Sequence, residues 1–191
     1  MASHNVNLGP GYASGMFFHA PAGTALPAYP TETLAAAWEE VGDISADGVN
    51  WTPLGDMQTI RNWANEVVRR WSNTPGTANA AVIDTTEEVF NTIFGEDNVT
   101  VTAAAATHGK LVSVDIDRYN LSGAEAFLFI GKDGDDAFML GTTSGIITNI
   151  GDVSFQPGSV ISWTPTIEGN WTYLKDDGQT VSGGLNHGIR L

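Results

Sequence analysis

The chain has 191 residues and a mass of 20.2 kDa, which is enough for one well-cored domain and short for two. Acidic residues outnumber basic residues 22 to 8, giving a formal net charge of −14, and this excludes an ordinary DNA-binding domain because affinity for nucleic acid comes largely from Lys and Arg. The absence of cysteine excludes disulfides, thiolate zinc sites and a cysteine nucleophile.

The first thirty residues are rich in Gly and Pro and leave room only for short strands near residues 16–19. Neither a basic segment nor an apolar run of signal-peptide length opens the chain, so we expect a protein that is made in a cytoplasm and not inserted into a membrane. Residues 31–41 include Leu34 and Trp38 around three alanines, and they predict one or two helical turns ending at Gly42. Asp47-Gly48 then predicts a tight turn.

The apolar residues of segment 60–71 fall on one helical stripe, so its pattern alone predicts a helix. A strand is predicted over residues 77–83. Thr85-Thr86-Glu87-Glu88 has the form of a capping box and predicts a helix over residues 86–94 that ends at Gly95. The apolar face of this helix should pack on a sheet through four residues, which are Val89, Phe90, Ile93 and Phe94.

Beyond Gly95 the pattern is typical of strands, which we predict over residues 99–105, 111–116, 126–131, 137–141, 145–155, 160–167 and 170–174. Asp133-Gly134 fits the two central positions of a type I′ turn, so the strands on either side of it should form a hairpin. The glycine-rich residues 176–191 predict a second arm.

No motif for chemistry stands out in the sequence. The histidines His4, His19, His108 and His187 lack metal-ligand spacing and are interpreted as surface or arm residues, and we expect no metal, no cofactor and no catalytic residue. The six tryptophans are expected in the core or in subunit interfaces. A carbohydrate-binding module would instead require several of these rings in one exposed row.

Several short motifs occur in a particular order along the chain. They include Gly42-Asp43-Ile44-Ser45, Asp47-Gly48-Val49, Gly55-Asp56, Ile60-Arg61-Asn62-Trp63, Val67-Val68-Arg69 and Glu87-Glu88-Val89-Phe90, followed by Phe94-Gly95-Glu96-Asp97-Asn98. In order and spacing they resemble the siphophage major tail protein (tail tube protein) family. The resemblance extends over nearly the whole chain up to Tyr173.

This resemblance implies a mainly β fold, sandwich- or barrel-like, with one flanking α-helix, and it implies paired strands rather than a helix at residues 60–71. We expect a tail tube domain over residues 31–175 between an N-terminal arm (1–30) and a C-terminal arm (176–191). The family further implies a non-enzymatic virion protein that forms stacked hexameric rings, with DNA passing through the lumen. Its partners would be copies of itself and other tail proteins, namely the tape measure, tail terminator and baseplate.

Contacts between subunits and between rings are expected in three segments rich in chain breakers or polar residues, namely the two arms and the loop at 53–59. The predicted contact residues are Val6, Leu8, Tyr12, Leu54, Asp56, Met57, Leu185 and Ile189. Alternatives are another tube-forming subunit such as that of a secretion system, the carbohydrate-binding module, and an unrecognised hydrolase.

Overall fold

The computed structural model describes residues 14–53, 57–61, 67–71, 75–115, 123–133 and 136–176. Within these ranges the chain is mainly β, with one α-helix and one short 3-10 helix. The strands are β1 (Ser14–Pro21), β2 (Glu39–Thr52), β3 (Met57–Arg61), β4 (Val67–Trp71), β5 (Gly76–Val82), β6 (Val99–Thr102), β7 (Leu111–Val114), β8 (Glu125–Asp133), β9 (Asp136–Ile150), β10 (Pro165–Gly169) and β11 (Thr172–Asp176). Helix α1 spans Glu87–Phe94, and the 3-10 helix spans Glu96–Asn98.

Six antiparallel strands form a closed, barrel-like sheet in the order β10-β5-β2-β1-β8-β9, which closes because β10 also pairs with β9. Strand β9 is long enough to pair with two different strands along the same edge. Its second half pairs with β10, from Gly145 to Ile150, and its first half pairs with β11, from Ala137 to Gly141. The prediction of a mainly β, barrel-like fold with one helix is confirmed.

One face of each barrel strand builds the inner core. Alternate residues of β5 are buried along its whole length, as expected for a strand with one face turned inward. The inner core consists of Phe17, Val41, Ile44, Ala78, Ala80, Val82, Val89, Ile93, Phe127, Phe129, Leu140, Ile147 and Ile167. Helix α1 supplies Val89 and Ile93, so the helix packs on the barrel interior.

The opposite face of β1, β8 and β9 is covered by the segment that links β1 to β2. Trp38 is buried there, with Leu26 and Leu34 packed beside it, and the indole nitrogen of Trp38 donates to the carbonyl of Ala25 at 3.4 Å. The helical turns expected at residues 31–41 are therefore wrong. The backbone must follow an irregular path to place these apolar side chains on the sheet. A helix of one or two turns has little stability of its own, so packing on the sheet determines the conformation.

The tight turn expected at Asp47-Gly48 is also wrong, because these residues lie inside the continuous strand β2. The pairing of β2 with β5 shifts between Ile44, which faces Val82, and Val49, which faces Ala80. Extra residues on β2 bulge out at this point, and Gly48 adopts a φ of 72°, which glycine tolerates without steric cost.

Two hairpins lie outside the barrel sheet. Strands β3 and β4 pair with each other from Met57↔Trp71 to Arg61↔Val67, which confirms paired strands where the helical stripe pointed to a helix. Strands β6 and β7 form the other, with Val99 opposite Val114. Strands β6 and β7 are shorter than the strands predicted at 99–105 and 111–116.

The boundaries of the later strands differ from the expected ones. Asp133 pairs with Asp136, so Asp133 is a strand residue and not a central residue of the turn, while residues 134–135 lie outside the described ranges. The strands expected at 137–141 and 145–155 are one strand, β9, and the strand expected at 160–167 begins only at Pro165.

Helix α1 begins and ends close to the predicted residues. Thr86 is the N-cap, and its hydroxyl accepts from the backbone N–H of Val89 at 3.3 Å, while Gly95 ends the helix with a φ of 84°. The capping box predicted from Thr85 to Glu88 does not form, because Thr86 is the N-cap and the third helical position is therefore Val89 and not a glutamate. In the described part of the chain, no helix has the length and apolar character needed to cross a bilayer.

Candidate functional site

Most of the predicted contact residues cannot be placed. Met57 is the first residue of β3. The other seven lie outside the described ranges and stay predictions, namely Val6, Leu8, Tyr12, Leu54, Asp56, Leu185 and Ile189. Of the four residues assigned to the apolar face of the helix, Val89 and Ile93 are fully buried, whereas Phe90 and Phe94 are partly buried.

Phe90 and Phe94 pack on Trp163 through edge-to-face contacts, with ring centroids 5.1 and 5.8 Å apart. Trp163 is itself held by two backbone hydrogen bonds to Val82 in β5, each 2.8 Å long. These aromatic side chains therefore connect α1 to the segment that leads into β10.

The part of the chain between β2 and β5 is called the hairpin segment, which we define as residues 53–75. Strands β2 and β5 pair directly, with Thr52 opposite Thr77, so the hairpin segment leaves the barrel sheet and returns to it at neighbouring positions. Its strands β3 and β4 form a sheet of their own. A two-stranded hairpin is marginal by itself in water, which favours a role in contacts with another molecule.

The hairpin segment also differs from the rest of the chain in charge. It contains Arg61, Arg69 and Arg70 against Asp56 and Glu66, so its formal charge is +1. With a total of −14, the remainder of the chain carries −15. The formal charge of the hairpin segment is thus opposite in sign to that of the rest of the chain.

Two other surfaces are open to partners. One edge of β11 pairs with β9, and none of the strands in the described ranges pairs with its other edge. The connection between β9 and β10 exposes Phe155 and Val160, which are 71% and 69% accessible. Open sheet edges and exposed apolar side chains are both typical of surfaces that bind other chains.

A titratable cluster lies at one end of the barrel. His19 of β1 is opposite Glu39 of β2 and near Glu125, the first residue of β8, while Glu88 approaches from α1. The ring nitrogen Nδ1 of His19 lies 3.2 Å from Glu125 Oε2, and Nε2 lies 2.8 Å from Glu88 Oε1 and 3.9 Å from Glu39 Oε2. We call these four residues the His19 cluster.

Burial of the His19 ring lowers its pKa, but hydrogen bonds to Glu125 and Glu88, together with their negative charges, outweigh burial and raise the pKa above the usual 6.5. Ionised carboxylates only accept hydrogen bonds, so both ring nitrogens must carry a proton to donate to both partners. The two acidic partners and the raised pKa of His19 both favour the imidazolium form of the ring. Candidate metal-binding oxygens and Nε2 lie within 4.8 Å of one another, and the distance of 2.8 Å between Nε2 and Glu88 Oε1 is that of a hydrogen bond.

The interpretation of His19 as a surface or arm residue is thus wrong, and sequence reasoning missed its cluster. The available signal was the alternation of His19 with Phe17, which placed it on the inward face of a strand. Nothing in the sequence indicated that acids from three other elements would meet it. Of the remaining histidines, His108 lies in the β6–β7 connection, and His4 and His187 lie outside the described ranges.

The tryptophans whose side chains the structure describes do not form an exposed row. Trp38 is buried on the outer face of β1, β8 and β9, and Trp51, Trp163 and Trp171 pack against the inner core. The indole nitrogen of Trp171 donates to the carbonyl of Gly76 at 3.1 Å. These side chains fill the fold, so the carbohydrate-binding alternative gains no support from them.

In a comparison with known protein families, residues 11–163 match a model described as phage tail tube protein. The matched residues extend from just before β1 to just before β10, and they include α1 and the hairpin segment. No curated protein matches the chain.

Proposed function

Because this chain belongs to the phage tail tube protein family, we propose that it is the major tail subunit of a long-tailed bacteriophage and assembles as stacked hexameric rings. In this proposal it is a structural virion protein without enzymatic activity, made and assembled in the host cytoplasm. Its partners are its own copies and the proteins that set tail length and close the two ends, namely the tape measure, tail terminator and baseplate proteins.

The hairpin segment is the observation that carries this proposal. It stands apart from the barrel sheet and is net basic on an otherwise acidic subunit. If it docks on the acidic surface of a neighbouring copy, each subunit offers one donor and one acceptor surface, and the contact does not close on itself. A contact of this heterologous kind can repeat along an axis and generate a filament.

The overall charge supports passage of DNA through the lumen. A formal charge of −14 gives the assembled tube many acidic groups, and a negative wall repels the phosphate backbone instead of binding it. A conduit needs that property, because DNA that adhered to the wall would not move through it.

The proposal predicts that the purified protein forms rings or tubes in negative-stain electron microscopy. Arg70→Glu reverses a charge on the hairpin segment, and we expect the variant to fold normally but to form few or short tubes. Lys132→Glu makes the same change of charge on β8 of the barrel and serves as the matched control. Thermal unfolding of both variants measures whether the subunit fold is intact.

Raising the salt concentration provides a second measurement on the same samples. Assembly through opposite charges should weaken as screening increases, and Arg70→Glu should lose that salt dependence. Equal tube formation by Arg70→Glu, Lys132→Glu and wild type would contradict docking through the hairpin segment. If the protein stays monomeric under all conditions and binds a glycan, the proposal that it forms a tube is wrong.

A further inference from the structure

We propose that His19 is a proton-dependent latch that fastens helix α1 to the barrel. The inference rests on the arrangement of the His19 cluster and does not depend on the proposed function. It predicts that the stability of the subunit changes with pH in a direction set by this one residue.

The latch connects four elements that are far apart in the sequence. His19 and Phe17 lie on the inward face of β1, and the position opposite His19 on β8 is Phe127, also an inner-core residue. The ring therefore lies over the end of the inner core, where α1 contributes Val89 and Ile93. Glu88 immediately precedes Val89, so the contact between His19 and Glu88 fixes the first turn of the helix above the barrel.

Among the residues that the structure describes, the charges that face His19 are all negative. They come from Glu39 on β2, Glu125 on β8 and Glu88 on α1. Two nearby acids are directed elsewhere. Glu87, the other acid in the first turn of the helix, forms an ion pair with Lys110. Glu40 lies opposite Phe18, on the other face of β2. The imidazolium is thus the positive centre that offsets the repulsion among three carboxylates.

Loss of the proton has two effects on the latch. A neutral imidazole can donate from only one nitrogen, so either the Glu88 or the Glu125 hydrogen bond is lost and a lone pair then faces a carboxylate. The three carboxylates are also left without a compensating charge. Because the pKa of His19 is raised in the folded protein, the folded state holds a proton that the unfolded chain gives up near pH 6.5.

The sign of the pH dependence follows directly. The stabilisation is fully present below the unfolded pKa, falls as the pH rises, and is lost once the pH exceeds the raised pKa of the folded state. Wild type should therefore have a lower urea midpoint at pH 9 than at pH 6. His19→Gln keeps a polar side chain of similar length without a titratable group, and its midpoint should change much less between the two pH values.

Equilibrium urea unfolding at half-unit steps from pH 6 to pH 9 tests the latch, with EDTA present throughout. His108→Gln is the matched control, because His108 bonds through Nδ1 to the carbonyl of Gly109 and lies outside the cluster. It should follow the wild-type profile. Glu88→Gln retains His19 but removes one charge, so the fall in its midpoint should occur at lower pH.

The proposal is overturned if His19→Gln shows the same fall as wild type, or if wild type shows none. If His19→Gln does not fold, the comparison of Glu88→Gln with wild type decides the question, because an unchanged profile in that variant excludes the latch.

Discussion

Two adjacent isoleucines of β9 provide a direct test of the barrel. Ile147 belongs to the inner core and is 1% exposed, whereas Ile146 points to the other face and is 47% exposed. Replacing either with alanine removes the same three carbon atoms from the same strand. The loss of β-propensity is therefore similar in the two variants, and the difference between them measures burial.

The expected cost can be worked out from the burial. Three buried carbon groups at about 0.8 kcal/mol each give about 2.4 kcal/mol for Ile147→Ala. The unfilled cavity adds to this, and the total of about 3–4 kcal/mol lies within the usual range for such a truncation. Ile146→Ala should cost about 1 kcal/mol. Against a total stability of about 5–15 kcal/mol, both variants should still fold.

Urea unfolding of the two variants beside wild type measures these costs, with tryptophan fluorescence as the signal. An equal loss of stability in both variants would refute the assignment of Ile147 to a closed interior. A larger loss for Ile146→Ala would mean that the faces of β9 are reversed, which a slip of one residue in strand register would produce.

Two further substitutions test local features. Thr86→Ala removes the helix N-cap and should lower the free energy of unfolding by about 1 kcal/mol, whereas the exposed neighbour Thr85→Ala should have almost no effect on the urea midpoint. Gly131→Ala places a Cβ 2.1 Å from the ring of Phe138 and should lower the melting temperature clearly, while Gly109→Ala meets nothing within 4 Å and should leave it nearly unchanged.

The features that sequence reasoning recovered are the ones encoded locally. Helix α1 was predictable because a threonine cap, an apolar face and a terminal glycine all occur within ten residues or so. Strand β5 was predictable from the turn signal that precedes it, and much of β8 and β9 from the apolar runs on either side of a turn signal. The hairpin β3–β4 came from family resemblance, since Ile60, Val67 and Trp71 also suit a helix.

The features that were missed depend on contacts between distant segments. Trp38 lies in an alanine-rich stretch with high helical propensity, but packing on the outer face of the sheet determined its conformation. Gly48 marks a bulge and not a turn because β5 continues to pair on both sides of it. The His19 cluster could not be predicted, because the four residues come from four elements and share no sequence motif.

Closure of the barrel has a consequence for how the protein is made. The last barrel strand, β10, pairs with β5 from Thr166↔Asn79 to Gly169↔Gly76, so residues 76–79 must meet residues 166–169, which lie far away in the sequence. During synthesis, β5 leaves the ribosome long before β10 and waits with one edge unpaired. Such long-range pairing is intrinsically slow. A cell that fills with nascent copies thus holds many open edges at once, and correct closure competes with mispairing between neighbouring chains until β10 has been translated.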